Sequence, residues 1–153
     1  MRLSDMLRVE NVRVAEKPDR WQDAIRLAIH PLLESGCVEA RYAEAIIRAT
    51  EQVGPYYVLT EEVALIHGRP EDGVIKEQLA VTVLRDPIRF SADGFDVRLL
   101  VALAARDSRS HIDAMKVLAG IFMDKRQIDG IVALEDAEAI YRAFIDADPA
   151  SQS

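Results

Sequence analysis

The stretches Leu79-Ala80-Val81-Thr82-Val83-Leu84 and Val97-Arg98-Leu99-Leu100-Val101-Ala102-Leu103 decide the fold. Both are near-continuous apolar runs, the pattern of interior strands covered on both faces. Asp86-Pro87 and Ala92-Asp93-Gly94 mark the turn region between them. Upstream, Tyr56–Leu59 and Val63–Ile66 read as extended segments joined by a turn, and Val9, Val12 and Val14 as a short strand with imperfect alternation. Before these, the period is helical. Asp19 is placed to cap a helix over about 20–34, with Trp21, Ala24, Ile25, Ala28 and Leu32 on one stripe. Pro31 should bend that helix or end its regular part early, and Gly36 stops it. A second helix is expected over 40–53, broken by Gly54-Pro55. From Ser110 an apolar face of Ile112, Met115, Leu118, Ala119 and Phe122 restores the helical period, and further helices are expected near 125–130 and 134–146. Helices on both sides of a strand cluster give an α/β layered domain.

Composition sets the outer limits. A chain of 153 residues, half hydrophobic and 29% charged, is expected to be one ordinary globular domain over 1–148, followed by a small polar tail at 149–153 that frays. The net charge of −7 argues against nucleic acid or an anionic membrane as the main partner. The single cysteine, Cys37, excludes an intrachain disulfide and a thiolate metal cluster. No apolar stretch approaches the roughly 20 residues a spanning helix needs, and no secretory leader pattern follows Met1. The expected location is the cytoplasm.

Chemistry concentrates in Ala64-Leu65-Ile66-His67-Gly68-Arg69-Pro70-Glu71-Asp72-Gly73-Val74. His67 ends an apolar run directly before a glycine- and proline-rich turn. A strand ending there presents its imidazole at a sheet edge, and Gly68 lets another molecule's backbone approach closely. His111 follows Asp107-Ser108-Arg109-Ser110, which reads as a helix start and hence as a ready anion site. Two histidines and such a helix end suggest phosphoryl chemistry on imidazole. A neutral imidazole needs no separate base to attack phosphorus. No GxxxxGK[ST] loop is present, which argues against ATP as the phosphoryl donor. Arg69 either neutralises a phosphoryl group or only pairs with Glu71 or Asp72. His30 reads as structural, Cys37 as inert, and Glu61 and Glu62 as solvated turn residues.

The segments Trp21-Gln22-Asp23-Ala24, Val38-Glu39-Ala40-Arg41-Tyr42, Gly54-Pro55-Tyr56-Tyr57-Val58 and His67-Gly68-Arg69-Pro70-Glu71 add a resemblance. Their order and spacing resemble the enzyme IIA components of bacterial sugar phosphotransferase systems of the mannitol/fructose type, closest to the ascorbate-specific branch. The resemblance implies a mixed sheet of about five strands with helices on both faces. It also implies that His67 accepts the phosphoryl group and that His111 stabilises it. Gly68, Arg69 and Ser110 are candidate phosphate contacts by their place beside the two histidines. The implied donor is the histidine-containing phosphocarrier protein and the implied acceptor a cysteine of a cognate enzyme IIB. That enzyme serves a membrane permease, so this chain meets the membrane only indirectly. A convex, partly apolar docking patch around His67 would suit protein partners. No metal or organic cofactor is implied, and the oligomeric state, a homodimer included, is left open. A rival reading within the same family is a regulatory protein whose phosphorylation state controls a kinase or transcription factor.

Two departures stand out. The family commonly has proline before the active histidine, where this chain has Ile66; its N–H should extend the strand's pairing by one bond. Many relatives also carry an arginine near the position of Thr50, and Arg48 lies on a different helical face.

Overall fold

In a computed structural model that describes residues 2–152, the chain alternates between the two element types. In order, β1 is Leu7–Ala15, α1 Trp21–Glu34, α2 Arg41–Val53, β2 Val58–Thr60 and β3 Glu62–His67. There follow β4 Gln78–Ile88, β5 Val97–Ala104, α3 Ser108–Phe122, α4 Lys125–Val132 and α5 Ala137–Ala147. The two apolar runs pair antiparallel as β4 and β5 at the centre of one sheet of order β1-β4-β5-β3-β2. β1 runs parallel to β4, β3 parallel to β5, and β2 antiparallel to β3, so the sheet is mixed as the resemblance implies.

Side-chain alternation splits the core in two. Leu79, Val81, Val83, Leu99, Val101 and Leu103 face α3, α4 and α5. Ala80, Leu84, Leu100, Ala102 and Ala104 face α1 and α2. Because both faces are covered, neither strand shows a polar period. The smaller alanines on the second face let α1 approach β4 and β5 closely, and Ile25, Leu32, Tyr42 and Ile46 are all buried on that side.

Several local readings are corrected. Asp19 does not cap α1: the cap position is Arg20, without a side-chain hydrogen bond. Pro31 is buried inside α1, which continues to Glu34; only one turn follows the proline, so few helical bonds are at stake. Asp86 and Pro87 extend β4 rather than turning. Pro87 lies in the stretch between Val83 and Ile88 where the β4–β5 register slips, so its missing N–H is tolerated. The weak alternation of β1 has a similar cause, a register shift between Leu7 and Val12 opposite β4. Glu61 is exposed as expected. Glu62 opens β3 at φ 74° and is half-buried, and that burial raises its carboxyl above the usual range.

The later helices start on aspartates. Asp107 accepts from the Ser110 N–H, Asp124 from Arg126 and Gln127, and Asp136 from Glu138. At the C-terminal end, Asp148 is buried and accepts from the Leu3 N–H at 2.7 Å. A 3-10 turn covers Pro149–Gln152, and Ser153 lies outside the described residues. Among the described residues, no helix is long and apolar enough to cross a membrane.

Candidate functional site

β3 and β5 are parallel neighbours, so their C-terminal ends meet at one edge of the sheet, where open α/β sheets form crevices. His67 is the last residue of β3 and pairs in register with Leu103. β5 ends one residue later, and the loop to Asp107 starts α3 with His111 in its first turn. The register therefore brings together two histidines 44 positions apart in the numbering. Their ring centroids lie 5.1 Å apart.

The His67 ring is half-buried and has one defined polar partner. Its Nδ1 lies 2.6 Å from the Leu65 carbonyl oxygen. A carbonyl only accepts, so Nδ1 carries the proton and the lone pair of the neutral ring sits on Nε2. Burial lowers the ring's pKa below the ordinary histidine value, the bond to Leu65 offsets part of this, and His111 adds to the lowering. The imidazole is accordingly neutral and nucleophilic near pH 7. His111 presents a buried Nε2 with no hydrogen-bond partner among the described residues. Such an atom carries a desolvation cost until something binds it.

These groups open on a cleft of about 430 Å³ lined by Ala45, Ile46 and Ala49 of α2, Tyr56, the turn from His67 to Asp72, and Ser108 and His111 of α3. His67 thus lies in a concavity rather than on a convex patch, because α2 and α3 rise on either side of the strand end. Among the described residues no group of three or more His, Cys, Asp or Glu side chains could hold a metal ion.

The other residues singled out in the sequence fall as follows. Gly68 lines the cleft, but its N–H already donates to the Tyr42 hydroxyl at 2.9 Å. Arg69 lines the cleft, and its exposed guanidinium has Nη2 3.1 Å and Nε 3.2 Å from the Asp72 carboxylate. Glu71 is 3.7 Å away from it. Ser110 is not among the lining residues, and its N–H is taken by Asp107; Ser108, two residues earlier, lines the cleft instead. Thr50 is buried, donating to Ile46 O and bonded to the Tyr57 hydroxyl, so no side chain from that position enters the cleft. Arg48 is exposed and does not line it. Sequence reasoning missed Tyr42 and Tyr56, which hold the backbone around His67. No spacing signal could have found them, since each bonds to a peptide group.

Comparison with known proteins identifies the class to which this fold belongs, a component of a phosphoryl relay. The chain belongs to the family described as "Phosphoenolpyruvate-dependent sugar phosphotransferase system, EIIA 2", whose profile matches residues 5–147. It is a phosphotransferase component of that system's relay. It is similar to the ascorbate-specific PTS system EIIA component of Shigella boydii, at 35% identity over 144 residues, 92% of this chain and 93% of that one. Among solved structures it resembles a putative PTS IIA (PtxA) from Streptococcus mutans, with TM-score 0.86, 32% identity and all of both chains covered. It also resembles the mannitol-specific cryptic enzyme IIA CmtB of Escherichia coli, with TM-score 0.88 and 29% identity over 95% of this chain and 99% of that one.

Proposed function

We propose that this protein is a cytoplasmic phosphocarrier that takes a phosphoryl group on Nε2 of His67 from the phosphohistidine of the histidine-containing phosphocarrier protein. It then passes the group to a cysteine of a cognate enzyme IIB in an ascorbate-type uptake system. The observation that carries this reading is the Nδ1–H bond to Leu65 O, which leaves the Nε2 lone pair for attack. In the first step the Nε2–P bond forms as the donor's N–P bond breaks, its electron pair returning to the donor imidazole. The acceptor ring then keeps Nδ1–H and gains positive character, which strengthens the bond to Leu65 O. In the second step a thiolate attacks phosphorus and the His67 imidazole leaves neutral, with no proton to recover. The pre-set tautomer thus serves both directions of a relay.

His111 donates from Nε2 to a phosphoryl oxygen, which would satisfy an atom that is otherwise buried without a partner among the described residues. Ser108, at the first position of α3, supplies hydroxyl and helix-end contacts in the place expected of Ser110. Arg69 reaches the phosphoryl group by leaving Asp72, an exposed pairing that costs little to break. Gly68 keeps the approach to the ring open. The ascorbate assignment is supported by the names of relatives at 33–35% identity.

The test is phosphoryl transfer from phosphoenolpyruvate through the purified relay, with wild type and His67→Ala, followed by delivery to ascorbate-type and mannitol-type enzyme IIB. Label on wild type only, passed to the ascorbate-type acceptor, is expected. Labelling of a folded His67→Ala variant would overturn the site, and exclusive delivery to the mannitol-type acceptor would overturn the specificity.

A further inference from the structure

The peptide unit between His67 and Gly68 has both of its hydrogen-bonding groups held by tyrosine hydroxyls. Tyr56 Oη donates to the His67 carbonyl at 2.7 Å, and Gly68 N–H donates to Tyr42 Oη at 2.9 Å. Tyr42 Oη in turn donates to the Leu103 carbonyl of β5 at 2.8 Å.

The position of Tyr42 explains how β3 ends. Leu65 N–H bonds to Tyr57 O on the β2 side, so by alternation the amides of Ile66 and Gly68 face β5. With Ile66 aligned to Ala102 and His67 to Leu103, the next rung of the parallel ladder would join Gly68 N–H to Leu103 O. The Tyr42 hydroxyl sits between those two groups and satisfies both. The strand can then diverge from β5 by the width of one oxygen without leaving a buried group unpaired. Tyr42 is fully buried, and that burial raises its hydroxyl pKa, so it stays a protonated donor. Ile46 and Tyr42 close around Gly68 so tightly that a Cβ there would meet them at 3.1 and 3.2 Å.

Tyr56 differs in one respect: it is 39% exposed and lines the cleft. Its ring stands edge-on to the His67 ring, with centroids 5.4 Å apart and planes at 88°.

We propose that Tyr42 and Tyr56 are positioning residues that clamp the 67–68 peptide and so aim Nε2 of His67 into the cleft, Tyr42 as the fixed anchor and Tyr56 as the accessible latch. Fixing that peptide plane fixes ψ of His67, and with it the direction in which the side chain leaves the backbone. The Nδ1–Leu65 contact fixes the ring about its own bonds. The two devices together leave the attacking nitrogen little freedom, which is what in-line transfer rewards.

The proposal rests on His67 being the phosphoryl acceptor, and its test separates the two claims. Tyr56→Phe keeps the ring and removes only the latch hydroxyl. Wild type, Tyr56→Phe and Tyr42→Phe are phosphorylated by the protein donor and, separately, by phosphoramidate, which needs no docking surface. Tyr56→Phe is expected to lower kcat about tenfold with both donors at unchanged KM for the protein donor, the scale of one lost hydrogen bond. Rates equal to wild type with phosphoramidate would overturn the clamp, as would a loss confined to KM for the protein donor, which marks Tyr56 as docking surface alone. If Tyr42→Phe folds poorly, Tyr56→Phe still decides. Wild type that takes no label on His67 from either donor would sink the acceptor assignment itself.

Discussion

Replacing Gly68 with alanine probes the tightest point of the site. The glycine needs no left-handed backbone, since it is not among the positive-φ glycines Gly36, Gly54 and Gly73. The whole cost therefore comes from space. The added methyl meets Ile46 Cγ1 at 3.1 Å and Tyr42 Cε1 at 3.2 Å. Each neighbour must give by a few tenths of an ångström, yet Ile46 is 1% exposed and the Tyr42 hydroxyl is tied to Leu103 O. Overpacking of this kind costs about 1–3 kcal/mol. For a chain of this size, that lowers the melting temperature by about 2–12 °C. The Tyr42 ring can retreat only by stretching its bonds to Gly68 N–H and Leu103 O, so phosphorylation of His67 should slow as well as stability fall. Thermal unfolding and initial rates of phosphoryl uptake measure the two effects. A variant with wild-type melting temperature and wild-type rate would refute the close packing of α2 against the strand end.

His111→Ala should slow phosphoryl transfer by about 10²–10³ without abolishing it, because one donor to the phosphoryl oxygens is lost; a rate within twofold of wild type would make His111 structural. The lowered pKa of His67 predicts phosphorylation rates that are flat above about pH 6.5 and fall only below it. Stability carries the same signature. Just below pH 6.5 the unfolded state binds a proton that the folded state resists, so the contribution present above that pH is lost as pH falls toward the lower folded value. Urea unfolding of wild type and His67→Asn from pH 8 to pH 5 should show a shallower decline in the variant. Ile66→Pro should cost about 2–5 kcal/mol, since it removes most of a side chain that is 0% exposed and an N–H facing β5; a melting temperature near wild type would place Ile66 outside the ladder.

The size of that cost is not legible in the residue sequence, where Ile66 shows only as an isoleucine in the place of the family's usual proline. The sequence does not reveal that β3 lies between two partners with its side chains buried on both faces. The central strands were legible for the same physical reason, since only covering on both faces produces runs such as Val97–Leu103. The edges were less so. β1 carries a register shift that blurs its period, β4 continues through a proline at a break in pairing, and α1 starts without a side-chain cap. In the site, His67 and His111 were legible because only three histidines exist and each sits beside a turn or helix signal. The helix start was read across Asp107–Ser110; the cap falls on Asp107, so Ser108 opens α3 and lines the cleft while Ser110 does not. The tyrosine clamp left no trace, because a hydroxyl bonded to a peptide group leaves no residue-type pattern.

The most direct measurement is nitrogen-15 and phosphorus-31 NMR of the protein phosphorylated through the purified relay. Phosphorylation on Nε2 of His67, with Nδ1 still protonated and bonded to the Leu65 carbonyl, is the result predicted here. Attachment at Nδ1 of His67, or on His111, would contradict it.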